Sequence, residues 1–185
     1  MSKTVLAPSG RVYPAPVVIV SCGNEASSNL ITCAWAGTVN LEPPTAYVSV
    51  RRDRFSHHFI KESGEFVINL VTKETLEAAD ICGIVSGRDC DKWEKASLHK
   101  EKAAAVSVPL VKESLLSLEC RVVNTVSLGT HDMFIGQIAA VDADDSLLDE
   151  KGRLSPEAAG FIAMAGGSYL GTAEQVKKVG FTHKK

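Results

Sequence analysis

Residues 47–58 read YVSVRRDRFSHH, and this stretch decides the fold because its side-chain period changes part-way along it. In a strand successive side chains point to opposite faces, so Tyr47, Ser49 and Arg51 share one face while Ala46, Val48 and Val50 share the other. The apolar face packs and the other is left to bind. From Phe55 the pattern becomes helical: FSHHFIKES, residues 55–63, reads as a short helix with Ser56 as its cap, Phe55 and Ile60 as a hydrophobic staple, and Gly64 as its end. Arg51, Arg52 and Arg54 lie where strand gives way to helix, and there the free N–H groups and positive dipole end favour an anion. An arginine fork grips phosphate oxygens through two hydrogen bonds, where lysine offers a point charge. The cluster is either a phosphate site or a solvated group paired with Asp53, and the stretch by itself leaves both open.

On either side of it, β-branched and apolar residues clustered between Gly, Pro and Asn predict strands over residues 17–22, 29–35, 45–51 and 65–71. A second helix is expected after Thr72, running through Leu76 and Ala79 to about Cys82, and a short third one capped by Asp89 and containing Trp93. From Leu116 to Leu128 every second residue is apolar except Asn124, and residues 133–141 follow a Gly-Thr-His turn, which predicts a long antiparallel pair. Many strands with few helices favour a small closed or partly open barrel with helices covering its ends, a mainly β fold. No G-x-G-x-x-G follows a strand, which argues against a Rossmann nucleotide site.

The 185 residues, 45% hydrophobic and 23% charged, suffice for a single domain over residues 1–185. A net charge of -2 and a pI near 6.2 provide no field that would gather nucleic acid or an anionic membrane. No apolar run reaches a membrane span, and MSKTVLAPSG lacks the apolar core of a secretory signal, so a cytoplasmic location is expected. The five cysteines, Cys22, Cys33, Cys82, Cys90 and Cys120, are odd in number and widely spaced, and read as reduced thiols. Cys82, Cys90 and His99 lack a C-x-x-C spacing, so no metal is expected. The tail from Lys177 to Lys185 reads as a solvated end.

Upstream, GNEASSNLITCAW, residues 23–35, is a polar loop entering a strand in which Leu30, Thr32 and Ala34 share one face and Asn29, Ile31, Cys33 and Trp35 the other. The Thr32 hydroxyl can meet a ligand or be satisfied within the sheet. Trp35 reads more readily as core than as a stacking surface. His57 or His58 can donate to a phosphate, or both can be exposed helix residues. Two further polar segments stand out, SGRDCDKW at residues 86–93, with Lys92 beside Trp93, and GTHDMFIG at 129–136, with His131 at a turn. No Ser-His-Asp arrangement or paired carboxylates are evident, and Cys22, Cys120 and Asn40 read as structural.

In the order of these pieces the chain resembles the flavin reductase-like, FMN-binding split-barrel family, which includes flavoredoxins and the small reductase components of two-component monooxygenases. The resemblance is carried by PVVIVSCGNEASSNLITCAWAGTVNLEPPTAYVSVRRDRFSHHFIKESGEFVINLV at residues 16–71, by SGRDCDKW, by GTHDMFIGQI at 129–138 and by GGSYLG at 166–171. It implies a six-stranded antiparallel Greek-key split barrel with flanking helices, assembled as a homodimer with FMN near the subunit interface. It also implies that Asn29, Thr32, Cys33 and Ala34 line the flavin, largely through backbone atoms, and that Ser49, Arg51, Arg54, Ser56 and His57 surround the ribityl phosphate. Ser86, Gly87 and Lys92 would lie near the phosphate or ribityl chain. His131 matches the histidine of a Gly-Asp-His turn near the nicotinamide site of the reductases, which makes it the catalytic candidate, although Thr130 stands where the family has an acid. Two activities follow from the resemblance: an NAD(P)H-dependent FMN reductase, with NADH or NADPH as hydride donor, or a flavoredoxin-type FMN electron carrier fed by a redox protein partner.

Overall fold

In chain order the strands are β1 (Ala15–Pro16), β2 (Val18–Gly23), β3 (Ser28–Cys33), β4 (Ala36–Leu41), β5 (Pro44–Arg51), β6 (Glu65–Leu70), β7 (Lys100–Glu101), β8 (Leu110–Val111), β9 (Leu116–Leu128), β10 (His131–Ala143), β11 (Ile162–Ala165) and β12 (Ser168–Gly171). Helix α1 (Phe55–Ser63) joins β5 to β6, and α2 (Leu76–Ile84) and α3 (Lys92–Lys95) lie between β6 and β7. The computed structural model describes residues 1–10, 12–172, 177, 179 and 182. Most of the charged tail expected to be solvated lies outside the described residues.

Seven strands form one antiparallel sheet in the order β3-β2-β6-β9-β10-β5-β4. Strands β5 and β6 are consecutive in the chain but separated in the sheet by β9 and β10, so the connection through α1 makes a Greek key. The two end strands of the sheet meet where β3 runs through residues 34 and 35 directly into β4, whose ladder with β5 extends back to the Ser49 N–H donating to the Trp35 carbonyl at 2.8 Å. This partial closure is the split barrel the sequence led us to expect. The strand count exceeds the expected six because β4, whose sequence AGTVNL gives little apolar patterning, pairs with β5 as an edge strand that is mostly exposed.

Inside the barrel Val18, Val20, Ile31, Val48, Val50, Phe66, Ile68 and Phe134 form one buried cluster. On the outer face, Val17, Ile19 and Leu30 pack against Ala79 and Cys82 of α2 and against Trp93 of α3. Strands β2 and β3 are therefore covered on both faces, which explains their near-continuous apolar sequence. The buried Asn69 side chain is fully engaged: its amide donates to the Ile19 carbonyl at 3.0 Å, and its oxygen accepts from Val111 N and Ser117 Oγ. A Cβ at Gly136 would stand 2.8 Å from Phe66 Cζ, so the missing side chain is what lets that ring fill the barrel.

Three local expectations need correction. Ser56 does not cap α1: the capping position is Arg54, which makes no side-chain cap bond, and Ser56 is buried inside the first turn. The Asn29 amide claims it instead, donating to Ser56 Oγ at 2.7 Å. Helix α2 begins at Leu76, four residues beyond Thr72, because Thr75 Oγ1 accepts from Thr72 N in a turn that precedes it. Asp91, not Asp89, caps α3 by accepting from Trp93 N at 2.8 Å. Gly64 ends α1 as expected, at a positive φ of 67° that suits glycine.

Candidate functional site

Two adjoining clefts lie where β3, β5, the start of α1 and the end of α2 meet. One, of about 260 Å³, has among its walls Thr32, Cys33, Ala34, Ser49, Arg51 and His131. The other, of about 160 Å³, has among its walls Asn29, Ser56, Ser86, Gly87 and Lys92. Ile31 and Arg54 border both clefts, so the two form neighbouring parts of one depression.

The first cleft follows from strand geometry. Ala46, Val48 and Val50 are buried, and Tyr47, Ser49 and Arg51 point away from them, as the alternation requires. Antiparallel pairing places His131 opposite Arg51 and Met133 opposite Ser49. The His131 and Trp35 rings meet with centroids 4.7 Å apart. Trp35 is 49% exposed, which corrects the expectation that it belongs to the core. The reason is that β3 stops at Cys33, and the bend at residues 34 and 35 carries the indole out of the packed alternation to the cleft. Thr32 borders the same cleft, yet its hydroxyl donates to the Ala79 carbonyl of α2, so the sheet-and-helix packing satisfies it. Burial pushes the Cys33 thiol up to about 12, so this side of the cleft is neutral and carries no nucleophilic thiolate.

The second cleft is a site for negative charge. Lys92 is only 5% exposed, and its ammonium donates to the Cys82 carbonyl at the end of α2, 2.7 Å away. An ammonium has three donors, and among the described residues that is the one side-chain hydrogen bond this group makes. Burial holds the amine below the usual lysine value, and the like charge of Arg54 acts in the same direction. The Arg54 guanidinium itself makes no side-chain hydrogen bond or ion pair among the described residues. Two cations face one small cleft with donors to spare, an arrangement that an anion would complete. Gly87 closes the wall: a Cβ there would overlap Asn29 Oδ1 and come 2.7 Å from Phe55 Cδ1. Beside it, Arg88 lies over the Phe55 ring, 5.3 Å from its centre, and donates to the Asp53 carbonyl. Arg88 was inside a segment the sequence marked as polar, but nothing in its spacing tied it to the turn at Asp53.

The arginines divide. Arg51 pairs with Asp53 at 2.6 Å with both side chains at least half exposed, so for this residue the solvated-pair reading holds in the structure. Arg52 turns to Asp132, at 2.7 Å. His57 is not brought to either cleft: its Nε2 lies 2.8 Å from Asp132 Oδ2, behind the first turn of α1. The expected place of His57 beside an anion is therefore corrected, since a residue one helical step past Ser56 projects toward β10. His58 stacks with Phe55 and Phe59 instead.

Residues 9–158 match the family described as the flavin reductase like domain. The chain belongs to that family. An uncharacterized protein of Archaeoglobus fulgidus is 36% identical over 140 residues, 76% of this chain and 78% of that protein. Among solved structures, flavoredoxin of Desulfovibrio vulgaris (Miyazaki F) superposes with a TM-score of 0.90 at 27% identity, over 99% of this chain and all of that one. An FMN-binding protein from Thermus thermophilus with bound 1-cyclohex-2-enone superposes with a TM-score of 0.79 at 25% identity, over 96% of this chain and 99% of the other. Membership agrees with the mainly β split barrel and with the resemblance carried by residues 16–71. No helix among the described residues is long and apolar enough to cross a membrane.

Proposed function

We propose that this flavin reductase-like chain binds FMN in the paired clefts and acts as an NAD(P)H-dependent flavin reductase. The observation that carries the reading is the polarity of the depression: the buried Lys92 ammonium and the exposed Arg54 guanidinium, unpaired among the described residues, at one end, and the exposed Trp35 ring beside His131 at the other. Both halves suit a flat ring joined to a phosphate, so the residues present fit the cofactor. Bound there, the flavin ring would supply the hydride and electron chemistry.

The chain's own residues would bind and orient. Lys92, Arg54 and the Ser86–Gly87 turn would hold the phosphate, with Asn29 and Ser56 locking each other behind it. Residues 32–34, Ser49 and Trp35 would form the bed of the ring. His131 would orient the nicotinamide of NADH or NADPH. Burial, and then the charge of Arg51, keep its imidazole below the ordinary histidine range, so it is neutral near pH 7 and presents a polar but uncharged edge. Exposed Val39 and Leu41 on the edge strand β4 are apolar surface that a second copy would cover in a homodimer.

A specific observation favours a second reading, a flavoredoxin-type carrier fed by a protein. Thr130 stands where the resemblance implies an acid, and its hydroxyl lies 2.9 Å from His131 Nδ1. The test is an FMN titration followed by visible absorption, then anaerobic addition of NADH and NADPH. Bound flavin that bleaches supports the reductase, bound flavin that stays oxidised supports the carrier, and absence of bound flavin rejects both.

A further inference from the structure

The turn from Arg51 to Arg54 sends its arginines in different directions. Arg51 and Arg54 border the clefts, while Arg52 reaches away from them to Asp132 of β10. Asp132 follows His131 in the same strand, so its side chain leaves the opposite face of β10 from the one that borders the cleft. Its two oxygens are used by two different partners. Oδ1 accepts from Arg52 Nε at 2.8 Å and has Arg52 Nη2 at ion-pair distance, 2.7 Å, and Oδ2 lies 2.8 Å from His57 Nε2. Burial works against the charge of this carboxyl, but the hydrogen bonds from His57, Arg52 and Ser127 hold it below the usual aspartate value. The backbone adds a third tie, Arg52 N donating to the Thr130 carbonyl at 3.2 Å.

Arg54 lies between the two tied residues, as the capping residue of α1. Its exposed side chain has no partner among the described residues, so the backbone of the turn sets the point from which its guanidinium can reach the cleft. A turn tied at Arg52 and again at His57 holds the Arg54 backbone in one place, so the turn itself need not be ordered when the side chain grips an anion.

We propose that Asp132 is a positioning residue for the anion end of the site, and that it makes the site favour phosphorylated flavin over riboflavin by holding the turn at residues 51–54. The proposal rests on the flavin reading above. Asp132 touches neither cleft, and it acts through Arg52 and His57. Once the carboxylate is gone, Arg52 and His57 lose their shared partner and the turn carries the Arg54 backbone through many positions relative to the cleft.

The experiment compares FMN and riboflavin dissociation constants for wild type, Asp132→Asn, Arg52→Ala and the double variant, with Tm measured on each. Asp132→Asn weakens FMN about tenfold, the scale seen when a supporting carboxylate and not a direct ligand is removed, and leaves riboflavin unchanged. Arg52→Ala, on the half-exposed side of the pair, does the same and carries the test if the Asp132 variant does not fold. The double variant loses no more than either single one, because both break one connection. Equal weakening of FMN and riboflavin, or unchanged FMN affinity in folded Arg52→Ala, overturns the proposal while leaving the flavin reading intact. A wild-type chain that binds no FMN overturns the flavin reading and this inference with it.

Discussion

His131 stands opposite Arg51 across the β5–β10 ladder, and its ring rests 4.7 Å from that of Trp35. Residues that are 80 and more positions apart in the chain thereby share one wall of one cleft, at the end of the depression opposite the buried Lys92 ammonium. The separation of a cationic end from an aromatic end makes the roles of individual residues experimentally separable.

Lys92→Met removes the buried ammonium and keeps most of its apolar volume. Loss of a charge-assisted hydrogen bond costs about 1.5–3 kcal/mol, so FMN affinity should fall about 10- to 100-fold while riboflavin affinity holds. Flavin fluorescence titration reads both, and equal losses for the two ligands would show that Lys92 does not face the phosphate.

Trp35→Ala should give the reverse pattern. The indole is half exposed, so thermal stability changes by no more than about 0.5 kcal/mol, but FMN and riboflavin weaken together by about 0.5–1.5 kcal/mol for lost ring stacking. A folded variant with undiminished affinity for both flavins would remove Trp35 from the site.

Gly87→Ala tests the wall of the anion cleft. The new methyl overlaps Asn29 Oδ1 and crowds Phe55, so the turn must shift. Overpacking of this kind costs about 1–3 kcal/mol, and the shift should weaken FMN more than riboflavin. Calorimetry and the same titrations would check this; unaltered Tm and FMN affinity would mean that the turn yields freely.

A pH dependence of stability is expected far from the site. Burial, and then the neighbouring Glu119 carboxylate, push Asp142 up to about 6. Glu119 is fully buried and accepts from the backbone N–H groups of Ala104, Ala105 and Val106. Because the folded value is raised, the folded chain holds the Asp142 proton more tightly than the unfolded chain does. This contribution is fully present below the unfolded value near pH 4 and is lost as the pH rises through about 6. Asp142→Asn should therefore raise Tm at about pH 8 and change it little at about pH 4. A variant with no Tm gain at the higher pH would refute the assignment.

Much of the architecture was legible because it depends on local patterns. The alternation through residues 45–51, the strand over 116–128 and the stop at Gly64 each follow from the pattern of a single element, and the structure keeps them, although β9 is buried on both faces at its start, where Ser117 and Glu119 lie inside. Strand β4 was missed because its stability comes from pairing with β5 and not from an apolar pattern of its own. The first turn of α1 was misread because Ser56 had a competing partner, Asn29, at a distance of 27 residues. Trp35 was misread because whether an aromatic residue at a strand end packs or projects depends on the bend that follows it.

By itself the sequence determined the mainly β class, the strand that runs into an arginine-rich turn, and the residue types available to hold an anion, since these depend on side-chain period and chemistry over a few consecutive positions. Only the tertiary structure decided that Arg51 and Arg54 border the clefts while Arg52 does not, that His57 turns to Asp132, and that Lys92 is buried with donors unused. Those outcomes depend on contacts between residues far apart in the chain, where antiparallel register and burial, not local propensity, select the partner.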